Sequence, residues 1–186
     1  LPSIPNLGSL CGRIVNTAAI RHVEHSIFIQ RLKCCDHQLK PPPLAVLDIS
    51  SVVLEAGKER LGGVADDVEW INADITNWTP DKTYQVWHDR AVFHFLTEIE
   101  DQKAYVNALV KAVPVGGTAI ISSFAEDGPE KCSGLPVQRY SSRTLAAKLQ
   151  ALAPGVFAQT DAQTHTHITP KKNQQNFQTS AFKRVA

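Results

Sequence analysis

The sequence predicts an α/β fold: a mostly parallel sheet with helices on both faces and an antiparallel C-terminal hairpin strand. Strand-like and helix-like patterns alternate between residues 44 and 153, which is how successive βαβ units appear in a sequence. Three of the strand-like runs end in a carboxylate: Asp48, Asp74 and Asp89. Two more such runs, separated by Pro170-Lys171-Lys172-Asn173, close the chain as an antiparallel hairpin.

Residues 44–50, LAVLDIS, form a continuous apolar run that stops at Asp48, as a buried parallel strand does. Ser50 is placed to cap the helix that follows, VVLEAGKERLG, and Gly62-Gly63 ends it. Residues 68–76, VEWINADIT, are a second strand, carrying Asp74 at its end. Residues 84–96, YQVWHDRAVFHFL, start apolar, break into His88-Asp89-Arg90 and return to an apolar cluster. A strand that ends abruptly in charged residues is how an open α/β sheet presents a site, because ligands bind in the crevice at the strands' carboxyl ends. The competing reading is a surface turn after a core strand.

Residues 98–113 read as an amphipathic helix with Tyr105, Ala108, Leu109 and Ala112 on one face. Pro114-Val115-Gly116-Gly117 then turns the chain into the strand TAIISSFA. Residues 126–140 form a long polar loop, and Ser141 caps the helix SSRTLAAKLQALA. The hairpin strands fall at about residues 156–166 and 175–185.

Residues 1–43 are an atypical N-terminal segment, set apart from a domain at residues 44–186. Residues 1–13 are loop-like, residues 14–32 admit a helix with irregular apolar positions, and Pro41-Pro42-Pro43 forces extended backbone. The chain begins at Leu1 and has no Met, which reads as a fragment or a processed form.

The 186 residues are 43% hydrophobic and 20% charged, the composition of a globular chain. A net charge of +1, with scattered cations, gives no electrostatic case for nucleic acid or an anionic membrane. No apolar run approaches the roughly 20 residues of a membrane span. Cys11, Cys34, Cys35 and Cys132 lack C-x-x-C spacing and read as reduced thiols of a cytoplasmic protein. His22 with His25, and His165 with His167, share faces but lack a third ligand nearby, so no metal is predicted.

The blocks VLDIS, WINADITNW, YQVWHDRAVFHFLT, PVGGTAIISSFAEDGPEKCSGLPVQRYS and HITPKKNQQNF together resemble the class I S-adenosylmethionine-dependent methyltransferases, with their Rossmann-like fold. The resemblance covers about residues 44–186. It implies S-adenosyl-L-methionine as cofactor, with Asp48 on the ribose hydroxyls and Ile49 against the adenine. It implies Asp74 as acceptor for the adenine amino group, with Ile75 beside the ring. It places His88, Asp89 and Arg90 at the methionine end and the reaction site, where His88 or Asp89 would be the general base for an acceptor that needs deprotonating.

One feature of the family is missing. Its glycine-rich turn should lie roughly 20 residues before Asp48, and that zone, VEHSIFIQRLKCCDHQ, has no glycine. A Cβ there keeps the backbone from approaching the cofactor closely. The segment Leu7-Gly8-Ser9-Leu10-Cys11-Gly12 lies too far upstream to replace it. Two readings therefore stand: a working methyltransferase, or a methyltransferase-like scaffold with weak or no cofactor binding. A nicotinamide-dependent oxidoreductase is a third, disfavoured because it needs G-x-G-x-x-G before the acid.

The acceptor, small molecule or protein, is not legible. The 126–140 loop is its expected surface, with Arg139 and Tyr140 holding an anionic or aromatic group; alternatively Tyr140 packs beneath the loop and Arg139 is solvated. A missing first strand would leave the 44–49 run with an unpaired side, and such an edge invites a homo-oligomer.

Overall fold

The computed structural model describes residues 14–18, 44–169 and 172–186. The strands are β1 (Ile14–Ala18), β2 (Leu44–Asp48), β3 (Val68–Asn72), β4 (Val86–Arg90), β5 (Thr118–Phe124), β6 (Lys131–Cys132), β7 (Leu135–Pro136), β8 (Phe157–Ile168) and β9 (Gln174–Arg184). The helices are α1 (Ser51–Leu61), α2 (Ile99–Ala112) and α3 (Ser142–Leu152). Seven strands form one sheet in the order β3-β2-β1-β4-β5-β9-β8. The first five are mutually parallel, β9 runs antiparallel to β5, and β8 antiparallel to β9.

Three sequence expectations change here. Residues 14–18 are a strand, not the start of a helix, and they occupy the middle of the sheet between β2 and β4. The atypical segment therefore contributes to the domain, and β2 has partners on both sides. The edge that was to drive association through β2 does not exist. The rest of the helical reading, the upstream glycines, and Cys11, Cys34, Cys35, His22 and His25 lie outside the described residues. Within the polar loop, Cys132-Ser133-Gly134-Leu135 closes a small hairpin of β6 and β7. Ser133 (φ 51°) and Gly134 (φ 83°) both adopt the left-handed region that such two-residue turns use.

The helix ends follow from the capping residues. Ser50 accepts from the Val53 amide at 3.4 Å, and Gly62, at φ 57°, ends α1. Ser141 and Thr144 form a reciprocal capping box on α3. The Arg184 guanidinium of β9 donates to the carbonyls of Val110 and Val113, satisfying the C-terminal end of α2.

Side-chain alternation divides the core between two faces of the sheet. Ala45, Leu47, Trp87, Ala119 and Ile121 point to one face and pack against α2 and α3, where Tyr105, Leu109, Leu145 and Leu149 are buried. Each leucine buried there contributes about 1.5–3 kcal/mol. Leu44, Val68, Val86 and Ile120 form a smaller cluster on the opposite face, where α1 approaches Trp70 closely at Gly57. Among the described residues no helix is long and apolar enough to cross a membrane.

Candidate functional site

β2 ends at the carboxyl edge of the sheet with Asp48. Its carboxylate Oδ1 accepts from the Ser50 amide at 2.8 Å. Its carbonyl accepts from the Ala73 amide at 3.2 Å and from the Asn72 side chain at 3.1 Å. Asn72 also donates to the Ile49 carbonyl at 3.0 Å, so β3 holds the end of β2 rigid. Beside this pinned carboxylate, Ile49 is 69% exposed and Val52 76% exposed. Asp48 itself is buried, 3% exposed, beside the apolar surface that Ile49 and Val52 present.

Asp74 does not end a strand. β3 stops at Asn72, and Asp74 opens a turn in which Oδ1 accepts from the Thr76 amide at 2.9 Å and the Thr76 hydroxyl at 2.8 Å. Oδ2 accepts from the Asn77 side-chain amide at 3.4 Å. Ile75 is buried in the main core, so its side chain packs inward instead of forming a surface for a ring.

The β4 triplet separates by parity. Asp89 points to the Trp87 face and is fully buried. Its Oδ1 accepts from the Val92 amide at 2.7 Å. Its Oδ2 accepts from the Phe93 amide at 3.0 Å and from the Tyr105 hydroxyl at 2.6 Å. Tyr105 in turn accepts from the Trp87 indole at 3.0 Å. Ala91, at φ 63°, lets the chain fold back into the 3₁₀ turn Phe93–Phe95 that Asp89 caps. Burial pushes the Asp89 carboxyl up to about 6, against the pull of these three donors. It also pushes the Tyr105 phenol well above its ordinary value. Asp89, expected at the reaction site, is thus enclosed in the core with its oxygens taken up by three donors of the chain itself. The three carboxylates share the carboxyl edge but not one face: alternation sets Asp48 with Leu44, opposite Asp89.

His88 and Arg90 lie on the opposite face from Asp89. Burial, helped by the Arg90 charge, pushes the His88 imidazole down to about 4, so it is neutral at neutral pH. Burial also lowers Arg90, which stays protonated at any ordinary pH.

Two buried residues in this region carry a signal that the sequence reading passed over, a polar residue inside an apolar pattern. His94 accepts from the Phe124 amide through Nδ1 at 3.3 Å, and its carbonyl accepts from the Gln138 amide at 2.8 Å. Burial pushes its imidazole down to about 4. Gln102 donates to the Leu96 carbonyl at 2.7 Å and to the Tyr140 hydroxyl at 3.4 Å. Together they tie the 3₁₀ turn to the 126–140 loop.

Tyr140 is buried and stacks on Phe93 with ring centroids 5.6 Å apart. The ring lies beneath the loop, as the alternative reading had it, and gives an acceptor no surface. Arg139 lines an open depression of about 440 Å³ with Glu126, Glu130, Val137 and Gln138. Its guanidinium donates to the Gly128 carbonyl at 3.1 Å and to Glu130 at 3.3 Å. Among the described residues no group of three His, Cys, Asp or Glu side chains converges as metal ligands would.

No protein-family model matches the chain. Malonyl-[acyl-carrier protein] O-methyltransferase 1 of Ilyobacter polytropus is 33% identical over 79 residues, 42% of this chain and 28% of that protein. The chain thus spans well under half the length of that curated relative. N-methyltransferase NodS of Bradyrhizobium japonicum matches in structure with a TM-score of 0.70 at 11% identity, covering 97% of this chain and 90% of that one. A SAM-dependent methyltransferase of Methanosarcina mazei matches at 0.69 and 9% identity, covering 100% and 99%. The 1,6-didemethyltoxoflavin N1-methyltransferase of Burkholderia thailandensis, solved with S-adenosylhomocysteine bound, matches at 0.67 and 14%, covering 94% and 72%. The chain therefore has the Rossmann-like fold of these S-adenosylmethionine-dependent methyltransferases.

Proposed function

We propose that the protein is an S-adenosylmethionine-dependent methyltransferase. The observation that carries the reading is the end of β2, where Asp48 is pinned by β3 and by the Ser50 amide beside the exposed Ile49. These residues fit the adenosine half of the cofactor: Asp48 for the ribose hydroxyls, Ile49 for a face of the adenine, Asp74 for its amino group through Oδ2. The same cofactor is bound, as its demethylated product, in several structures of this fold. When bound, it supplies a methyl group on a sulfonium for in-line attack by the acceptor. What the chain contributes is position: a rigid β2–β3 edge for the adenosine and a β4 end held in place by the buried Asp89–Tyr105–Trp87 chain. We assign the general-base role of the triplet to His88, whose imidazole is neutral at neutral pH and, through burial, a weaker base than a free histidine. The reading places the reaction in the cytoplasm, where a thiol such as Cys132 stays reduced.

The methionine half lacks its usual support. Residues 13–56 contain no glycine, and the turn after β1 lies outside the described residues. That specific feature favours a second reading, a methyltransferase-like scaffold with weak or no cofactor binding. Calorimetric titration with S-adenosylmethionine and with S-adenosylhomocysteine separates the two. The enzyme reading expects saturable binding that Asp48→Ala weakens at least tenfold. Given the missing glycines, we place the affinity in the high micromolar range, roughly −5 kcal/mol. No heat of binding at millimolar ligand would support the scaffold.

A further inference from the structure

On the face of the sheet that carries His88 and Arg90, the strand register builds two adjacent rows of side chains. Arg90 of β4, Ser122 of β5, Thr179 of β9 and Gln163 of β8 are aligned residue against residue across four strands. The Ser122 and Thr179 hydroxyls are 2.8 Å apart. The next row toward the carboxyl edge is aromatic: Phe124 of β5, Phe177 of β9 and His165 of β8. Phe124 meets Phe177 edge to face at 4.8 Å, and the His165 imidazole lies nearly parallel to Phe177, 9° off, with centroids 5.3 Å apart.

Beyond Phe124, β5 ends but β8 and β9 continue through the pairs Thr166–Asn176, His167–Gln175 and Ile168–Gln174. At about 3.3 Å per residue, this arm overhangs the carboxyl edge by roughly 10 Å. It is fastened to the loop after β5: Asn176 donates to Asp127 at 2.9 Å and accepts from Thr166 at 2.8 Å, and the Ala125 amide donates to the Asn176 carbonyl at 2.8 Å. The arm is thus a fixed wall on the same edge as the end of β2.

Aromatic side chains give a flat ligand a stacking surface. The polar row beside them brings a guanidinium with five N–H donors, enough to serve a structural contact and an anion at once, and a pair of hydroxyls. Burial lowers both the His88 and the His165 imidazoles, with the Arg90 charge adding to it at His88 and, after His167, at His165, so Arg90 lies within reach of this face. We propose that these two rows are the acceptor subsite and that it takes a flat acceptor bearing an anionic group, of the class of the aromatic carboxylates. The Phe177 and His165 rings bind the flat part, and Arg90 with the Ser122–Thr179 pair selects the anion. The proposal rests on the methyltransferase reading for the word acceptor; the binding itself does not.

The test is calorimetric titration of the full chain, without nucleotide, with benzoate, benzamide and cyclohexanecarboxylate. Benzoate is expected to bind at least tenfold tighter than benzamide, which lacks the charge, and several-fold tighter than cyclohexanecarboxylate, which lacks the flat ring. His165→Ala lies on an outer strand, and circular dichroism confirms its folding. It should weaken benzoate at least threefold and remove the preference for the flat ring. Arg90→Gln should remove the preference for the charge. If Arg90→Gln fails to fold, the benzoate-to-benzamide ratio of the native chain at 20 mM and 500 mM salt reads the same charge, and it should fall at the higher salt. No benzoate binding, equal affinity for benzoate and benzamide, or unchanged benzoate affinity in His165→Ala would each overturn the proposal. Because nucleotide is absent, a failure of cofactor binding leaves this result readable.

Discussion

The ends of β2 and β4 both carry a buried aspartate, and the two acids have different surroundings. Asp48 is followed by an exposed isoleucine and a helix cap, and its carboxylate accepts from the Ser50 amide. Asp89 is followed by Arg90 and by Ala91 in the left-handed region, and the chain folds back over it. Two amides and a tyrosine hydroxyl then take up its oxygens. An acid at a strand's carboxyl end is thus not by itself a ligand-binding group. Strand parity places Asp48 and Asp89 on opposite faces of the sheet, and the next few residues of the chain supply amide donors to each.

The largest effect that would sharpen this contrast is on stability at Asp89. Asp89→Ala leaves the Tyr105 hydroxyl and two amides without their acceptor in a dry core, and should cost about 3–5 kcal/mol. Denaturant unfolding checks it; a loss under 1 kcal/mol would mean the Asp89 network holds little.

Acidification should cost a few kcal/mol. His88 and His94 have folded pKa values of about 4 against an ordinary 6.5, so the folded state binds fewer protons there. Their contribution is present above pH 6.5 and is lost as pH falls toward 4. Asp89, raised from 3.8 to about 6, works the other way: its contribution is present below pH 3.8 and is lost as pH rises through 6. Two histidines against one carboxyl leave a net loss between pH 6 and 4, on the order of a few kcal/mol. Asp89→Asn, which removes the opposing group, should steepen it. Stability that is flat or rising on acidification would contradict the burial described here.

A smaller effect is expected at the middle of the chain of donors. Tyr105→Phe removes the hydroxyl that donates to Asp89 and accepts from Trp87, and should cost about 1–2 kcal/mol, read as a drop in Tm of several degrees.

Much of this fold was legible because its signals are local. Ser50, Gly62 and Ser141 mark helix ends by capping chemistry, and the Val86-Trp87 and residue 118–125 runs are strands by composition. The hidden part is non-local. β1 is five residues, IVNTA, with Asn16 and Thr17 inside it, and only its two parallel neighbours make it a strand. The orientation of Asp89 follows from a register that no single strand encodes, since an offset of one residue reverses every side chain. The turn at Asp74 had a visible sign, an Asp two residues before a Thr, but continuous apolar spacing through Ile75 outweighed it. The Ser133-Gly134 turn was likewise written in the polar loop.

At Asp48 the effect on stability should be small, about 1 kcal/mol for one lost hydrogen bond to the Ser50 amide. The effect on ligand should be larger. S-adenosylhomocysteine is titrated into the native chain, Asp48→Ala and Asp89→Asn by calorimetry under conditions where all three are folded. Saturable binding to the native chain is expected, with at least tenfold weaker binding in Asp48→Ala, where charge-assisted bonds worth about 1.5–3 kcal/mol each are gone, and a change below threefold in Asp89→Asn. Equal affinity in the native chain and Asp48→Ala, or a loss confined to Asp89→Asn, would contradict it.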